Sequence, residues 1–362
     1  MAQSLLFIPD ISGFTEFVQS TEAAHSQHVI AELLEVLIQA NQLDLQLAEI
    51  EGDALFFYKE NELPSQERLL AQIEHIFTAF YSHLKLLEKN RVCPCNACTT
   101  ARNLELKIIV HCGELQFLDV QGNHKPFGPS VIEAHRLMKN SVDSNNYVLF
   151  SKDLTEQLEI SSDYWSKLFS FKPGSDSYDG KELEYAWSDI DPSLLKLLPF
   201  ATPKPVSFDS KPCITYELDF PIKPNELLEY ITNYQFRHEW VEGVDRFEYN
   251  EHEVTRLGTP HTCVIDGKHL DFVTITKPAG PRELVYGELT RSAPQIDELF
   301  QFFIIAPKGN SGSLLKSEVF WKIKSPVKAI LINWLAKAKI KKSNIKAMHN
   351  LRDFIEATRV KD

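Results

Sequence analysis

Two short stretches constrain what this chain can fold into more than any others: residues 7–15, FIPDISGFT, and residues 49–57, EIEGDALFF. Each sets an aspartate at the edge of an apolar run. Residues 4–10 read as a buried strand, and Gly13 turns the chain into a segment where Val29, Leu33, Val36, Leu37 and Ala40 recur at helical spacing. A second strand follows, with Leu43, Leu45 and Leu47 alternating against Asp44, Gln46 and Ala48. Glu51, Gly52 and Asp53 form a turn signal ahead of a third strand at 54–59. Pro64 opens a long amphipathic helix to Lys89, and residues 104–112 supply a fourth strand.

Strand, helix, strand, strand, helix, strand is the split ferredoxin-like order, an α+β arrangement. In it the first and third strands are antiparallel neighbours, so Asp10 at the end of one meets Asp53 at the start of the other. Two carboxylates brought together repel unless a proton or a cation stands between them. A hard divalent ion, Mg2+ or Mn2+, accepts one or two carboxylates together with substrate phosphates. The backbone amides of Ile11, Gly13, Phe14 and Thr15, ahead of a helix, suit such phosphates. The same residues also suit a plain structural role, with Asp10 and Thr15 capping or turning the chain and Asp53 in a hairpin that favours aspartate.

Together the two stretches resemble the metal-binding signatures of class III nucleotide cyclases, the adenylate and guanylate cyclase catalytic domain. A third segment, residues 127–138 (FGPSVIEAHRLM), is similar to that family's later motif, in which a glycine is followed by valine, asparagine, alanine and arginine. The resemblance covers about the first half of the chain. It implies a homodimer in which the metal aspartates come from one protomer and the arginine from the other, and an activity, where one survives, of a phosphorus–oxygen lyase. Asp10 and Asp53 match the two metal-holding aspartates, and Ile11 matches a position that gives a backbone carbonyl. Arg136 matches the arginine that stabilises charge on the transferring phosphoryl group. Ile132 stands where the family has an asparagine that orients ribose and transition state, and isoleucine supplies neither hydrogen bond. Glu49 lies at the first base-selecting position and Lys125 near the second. A glutamate accepts from guanine N1 and N2 and offers nothing to adenine N1, so guanine is favoured; Lys125 either touches the base, neutralises Glu49 or stands in solvent. The resemblance thus implies a diverged domain that binds a nucleoside triphosphate through divalent metal, with weak or no cyclase activity.

Charge sharpens the partner classes. Residues 1–200 carry 15 Lys and Arg against 29 Asp and Glu, the remainder 23 against 21. An acidic first half argues against nonspecific nucleic-acid binding there, so a phosphate ligand needs metal and Arg136. FIPD interrupts the early apolar run, no secretory signal is expected, and no apolar stretch reaches the roughly 18 residues that span a membrane. A cytoplasmic location is expected.

Six cysteines include Cys93, Cys95 and Cys98 in VCPCNACTTAR. Three thiolates at this spacing suit Zn2+, with Cys112, His111 or a residue of a second protomer as fourth ligand. Redox-active thiols or a plain loop are the alternatives; extracellular disulfides are not expected without a signal.

Pro192, Pro199, Pro203, Pro205 and Pro212 punctuate an aperiodic stretch that reads as an interdomain linker. The expected domains are therefore 1–190 and 212–362, with 191–211 between them. The second begins with a strand at 213–220, continues through NELLEYITN and FRHEWVEGV, and runs through strands near 245–253, 269–276, 283–290, 299–305 and 314–323 to a final helix after Pro326. This order resembles the helix-grip fold of START-like proteins, the polyketide cyclase and lipid-transport superfamily, and implies a cavity for a hydrophobic small molecule. Trp240, Tyr286, Phe303, Phe320, Trp321 and Trp334 supply bulk, about half of it facing outward by strand alternation. His238, His261 and His269 show no metal spacing. The last helix sets Lys328, Lys337, Lys339, Lys341, Lys342 and Lys346 against an apolar face of Val327, Ile330, Leu331, Trp334 and Ala338. Contact with an anionic membrane is one use of such a helix; closing the cavity while the lysines meet water is the expected one. Three functions compete: a working homodimeric cyclase whose activity responds to an apolar ligand, a cyclase fold turned into a nucleotide-sensing or scaffold module, and a START-like domain that transports or modifies a hydrophobic small molecule.

Overall fold

Strand β1 (Ser4–Ser12) is buried at all nine residues, which requires a ladder on both edges and cover on both faces. In chain order it is followed by α1 (Phe14–Ser20), α2 (Ala23–Gln39), β2 (Gln46–Glu51), β3 (Ala54–Lys59), α3 (Gln66–Asn90), α4 (Asn96–Thr100) and β4 (Glu105–Gly113). β1 lies between β3 and β4, antiparallel to each, and the order β2-β3-β1-β4 is that of the split ferredoxin-like motif. The chain continues through a separate hairpin, β5 (Gln116–Val120) and β6 (Asn123–Phe127), then α5 (Pro129–Leu137), β7 (Tyr147–Ser151), α6 (Lys152–Gln157), β8 (Lys172–Tyr178) and β9 (Lys181–Asp189). β7 joins β4 in parallel, and β9 and β8 complete a seven-stranded sheet. This computed structural model describes residues 3–359 except 22, 162, 252, 327, 328, 330, 331 and 333–336. Its contacts divide the chain into two units, Met1–Glu88 with Asn96–Phe200, and Lys89–Cys95 with Ala201–Asp362.

Two local departures from the expected pattern have clear causes. The second strand starts at Gln46 rather than Leu43, because Asp44 is left-handed (φ 55°) and the Asn41 side chain bonds both backbone groups of Leu45. Leu43 and Leu45 are still buried, but as a loop packed under the sheet. The β5–β6 hairpin was not expected; it turns on Gln121 and Gly122, both left-handed (φ 51° and 81°), the conformation of a two-residue hairpin loop.

The second unit is a sheet of seven antiparallel strands. Its elements are β10 (Ile214–Phe220), α7 (Pro224–Thr232), α8 (Tyr234–Trp240), β11 (Arg246–Glu248), β12 (Pro260–Ile265), β13 (Lys268–Ile275), β14 (Leu284–Thr290), β15 (Glu298–Lys308), β16 (Gly312–Lys322) and α9 (Lys337–Arg359). The strand order is β10-β16-β15-β14-β13-β12-β11. The strand expected at 245–253 shrinks to three residues, and β12 was missed although Asp266 and Gly267 (φ 48° and 70°) mark its hairpin with β13. One sheet face carries Tyr286, Phe303 and Leu315 against Leu227 and Ile231 of α7 and Met348, Leu351 and Ile355 of α9, a helix-grip arrangement. The other face gathers Phe300, Phe302, Ile304 and Phe320 and is covered by Val206 and Phe208, whose ring stacks on Phe320 at 3.9 Å. Ala338, expected on the apolar face of the last helix, is exposed, and the buried side of α9 is Asn344, Met348, Leu351 and Ile355. Val327, Lys328, Ile330, Leu331 and Trp334 lie outside the described residues. Among the described residues no helix is long and apolar enough to cross a membrane.

On the helix-facing side of this sheet the core is not purely apolar. Arg237 of α8 is 4% exposed and salt-bridged to Glu288 of β14 at 2.5 Å, while its Nε donates to the Ile231 carbonyl at 2.8 Å. Tyr286 donates to Glu288 at 2.7 Å, and the Tyr234 hydroxyl lies 2.9 Å from both Tyr286 and His261 Nδ1. The guanidinium also sits over the Trp240 and Tyr286 rings at 5.1 and 5.6 Å. Burial alone would raise the Glu288 pKa, but the Arg237 charge beside it prevails and holds the carboxyl below its ordinary range. Burial pushes His261 down to about 4, so it is neutral at pH 7. Removing one partner of such a pair leaves the other charged, buried and alone. Glu288→Gln should therefore destabilise the protein by about 3–5 kcal/mol, while the double change Arg237→Met with Glu288→Met costs far less. Denaturant midpoints of the two variants test this, and equal losses would show that the pair's charges do not matter.

Candidate functional site

The first unit brings its two aspartates together through register. Asp10 of β1 pairs with Ala54 of β3, so Asp53 stands next to it across the ladder, and the Ile11 N–H donates to the Asp53 carbonyl at 3.1 Å. Asp10 is 8% exposed, and Asp53 is half-buried at the turn between β2 and β3. Burial first, then the neighbouring Asp10 charge, push the Asp53 carboxyl above the ordinary aspartate range. Lys107 of β4, opposite Asp10 in register, places its Nζ 3.2 Å from Asp10 Oδ2. One lysine thus offsets part of the charge of two carboxylates. The donor set, two carboxylates at a strand end, fits a hard divalent ion that shares or displaces Lys107.

The remaining expected residues are spread around this centre. Gly13 adopts the left-handed conformation (φ 85°) and starts the seven-residue α1, with Phe14 half-buried and Thr15 exposed. Glu49 sits at a register shift in the β2–β3 ladder, and its carboxylate pairs with Lys125 of β6 at 2.9 Å, both side chains nearly half exposed. Of the three roles open to Lys125, the structure shows the neutralising one. Ile132 and Arg136 lie one turn apart on α5, with Ile132 52% exposed. The Arg136 guanidinium is salt-bridged to Asp179 in the β8–β9 turn of the same chain. Sequence reasoning missed Lys107 and Asp179. Lys107 had a signal, as a basic residue inside an apolar strand; Asp179 had none beyond its turn.

Of the three cysteines, Cys93 and Cys95 belong to the second unit and Cys98 to the first, where its Sγ lies 3.5 Å from His25 Nδ1, a contact that was not anticipated. Of the expected fourth ligands, His111 belongs to a different group of side chains, and Cys112 pairs with Leu5 in the sheet, its thiol pushed up to about 12 by burial.

Comparison with known proteins adds four findings. A family model described as a protein of unknown function, DUF2652, matches residues 30–147. The uncharacterized protein Rv2561/Rv2562 of Mycobacterium tuberculosis is 32% identical over 136 residues, which is 35% of this chain and 59% of that protein's length. Among solved structures, the guanylate cyclase domain of RhGC from Catenaria anguillulae in complex with GTP aligns over 52% of this chain and 97% of its own, with 17% identity and a TM-score of 0.39. A norcoclaurine synthase point mutant from Thalictrum flavum aligns over 40% of this chain and 94% of its own, with 11% identity and a TM-score of 0.33.

Proposed function

We propose that the first unit is a diverged class III cyclase-type module that binds a nucleoside triphosphate through Mg2+ or Mn2+ held by Asp10, Asp53 and the Ile11 carbonyl, with weak or no cyclase turnover. The observation that carries this reading is the Asp10–Asp53 pair, where a buried, like-charged environment raises the Asp53 pKa and a cation relieves it. The bound ion would supply positive charge to the phosphates; the protein's part is to hold the two carboxylates in place. Three observations favour low turnover: Ile132 offers no hydrogen bond, Arg136 is engaged by Asp179, and Glu49 by Lys125. The last two equally support the second reading, a scaffold domain joined to a carrier of a hydrophobic small molecule seated between sheet and α9.

The module acts as a homodimer in this proposal. β2 is an edge strand exposed on both sides, and Ile50, Leu118, Val120, Phe127 and Ile132 are all close to half exposed or more. The ion pairs Lys125–Glu49 and His135–Glu51 tie β6 and α5 to β2, so these residues occupy neighbouring elements. A second copy covering them would bring its own Arg136 to the site. Zn2+ is the ion proposed for Cys93, Cys95 and Cys98, on the spacing of their thiolates. Purified protein should then carry one zinc by elemental analysis, lost in Cys98→Ser; a zinc-free wild type counts against the assignment.

Magnesium or manganese with a nucleoside triphosphate should raise the melting temperature of wild-type protein, and Asp10→Ala or Asp53→Ala should remove the shift. The sign of the pH dependence follows from the raised Asp53 pKa. Without metal, the stability tied to protonated Asp53 is lost as pH rises from the ordinary aspartate value through the raised one, so the metal-induced shift grows over that window. A shift that persists in both variants, or that shrinks with rising pH, leaves the metal pair without a role. For the dimer, mixing Asp10→Ala with Arg136→Ala protein should restore part of the nucleotide response, since one composite site is intact. No recovery in a mixture shown by light scattering to contain dimers rules out a shared site.

A further inference from the structure

His111 of β4 is 2% exposed, and its two ring nitrogens face different surroundings. Nδ1 lies 2.8 Å from Ser151 Oγ at the end of β7, whereas Nε2 faces Glu133 Oε2 at 3.9 Å, too far for a hydrogen bond. Glu133 of α5 divides its oxygens: Lys181 binds Oε1, and Oε2 is left toward the imidazole. Asp153, in the first turn of α6, has neither a salt bridge nor a hydrogen bond among the described residues. One donor atom from each of His111, Glu133 and Asp153 lies within 4.8 Å of the other two, around a cavity of about 90 Å³.

We propose that His111 Nε2, Glu133 and Asp153 form a binding site for a divalent transition-metal ion, separate from the Asp10–Asp53 pair. An ion bound at about 2.0–2.2 Å from nitrogen and oxygen sets its donors roughly 3–4 Å apart, so the 3.9 Å between Nε2 and Oε2 already suits a shared ion. The other separations, at most 4.8 Å, close by small side-chain rotations. One imidazole and two carboxylates select Zn2+, Mn2+, Fe2+ or Co2+ over the all-oxygen preference of Mg2+ and the thiolate preference of softer ions. Charge agrees, because Glu133, Asp153, Glu182 and Glu184 line the cavity against only Lys152 and Lys181. Lys181 need not leave, since it holds the oxygen that points away from His111. Ser151 fixes the ring from behind: its Oγ accepts the Leu154 N–H at 3.2 Å, capping α6, and meets Nδ1, which orients Nε2 into the cavity. The cavity has room for the few waters that would complete the shell.

The probe is Co2+ alone, titrated without nucleotide into chelator-treated full-length protein and followed by visible absorption. A nitrogen–oxygen site gives weak ligand-field bands, while the cysteine group adds a thiolate charge-transfer band, so the two are read separately. Asp153→Asn, at an exposed position, and Glu133→Gln, at a partly buried one, should weaken the nitrogen–oxygen component by about 10-fold or more, and His111→Gln should abolish it. Asp10→Asn and Cys98→Ser should leave that component in place. The proposal fails if the wild type shows no such component, or if both Asp153→Asn and Glu133→Gln bind Co2+ as the wild type does. Glu133 is then simply the ion-pair partner of Lys181, and Asp153 a solvated surface carboxylate.

Discussion

Nine consecutive buried residues in β1 must satisfy their backbone groups within the sheet, because little water reaches them. β3 and β4 meet that demand, and in doing so they fix what stands around the end of the strand: Asp53 on one side of Asp10 and Lys107 on the other. The energetics favour this placement despite its charge. At an effective dielectric of about 20, two unit charges about 4 Å apart repel by about 4 kcal/mol, which sets the scale for such a pair. Burial of Leu5, Leu6, Phe7, Ile8 and Ile11 contributes roughly 1.5–3 kcal/mol for each side chain, and the repulsion is therefore carried easily. The strand is held by its apolar residues, and the acidic pair is a local cost that a proton, Lys107 or a metal ion reduces.

The second unit handles buried charge in the opposite way. Arg237 and Glu288 satisfy each other, and the hydroxyls of Tyr286 and Tyr234 extend the network to His261. Among the described residues, His261 Nε2 is buried there without a hydrogen-bond partner. The first unit thus presents incomplete charge compensation near its surface, where ions arrive from solvent, and the second closes its charges inside the core. That contrast, more than any single residue, is why the proposed ion site is placed in the first unit.

Much of the first unit was legible because its signals are local. Apolar runs of the right length marked β1, β3, β4 and α3, and the order of those elements was enough to bring Asp10 beside Asp53. The residues that modify the site were not legible, since each depends on register between distant segments. Lys107 meets Asp10 only because β4 pairs with β1 with Asp10 opposite it, and Asp179 meets Arg136 only through the β8–β9 turn. Turn chemistry accounts for the missed strands. Gln121-Gly122 is a weak hairpin signal, as glutamine seldom adopts a left-handed backbone, whereas Asp266-Gly267 is a strong one that the run of apolar residues around it concealed. His25 lies far in sequence from Cys98, which it approaches, and no spacing rule connects them.

Phe208, lying flat on Phe320, bears on how the chain can be cut. A fragment opened at β10, where regular structure resumes after the prolines, would carry Phe300, Phe302 and Phe320 bare on one side of its sheet. An aromatic patch of that kind drives self-association in water. A fragment opened at Ala201 keeps the peptide strap that shields those rings, so the irregular segment between the prolines serves as cover for the sheet rather than as a spacer.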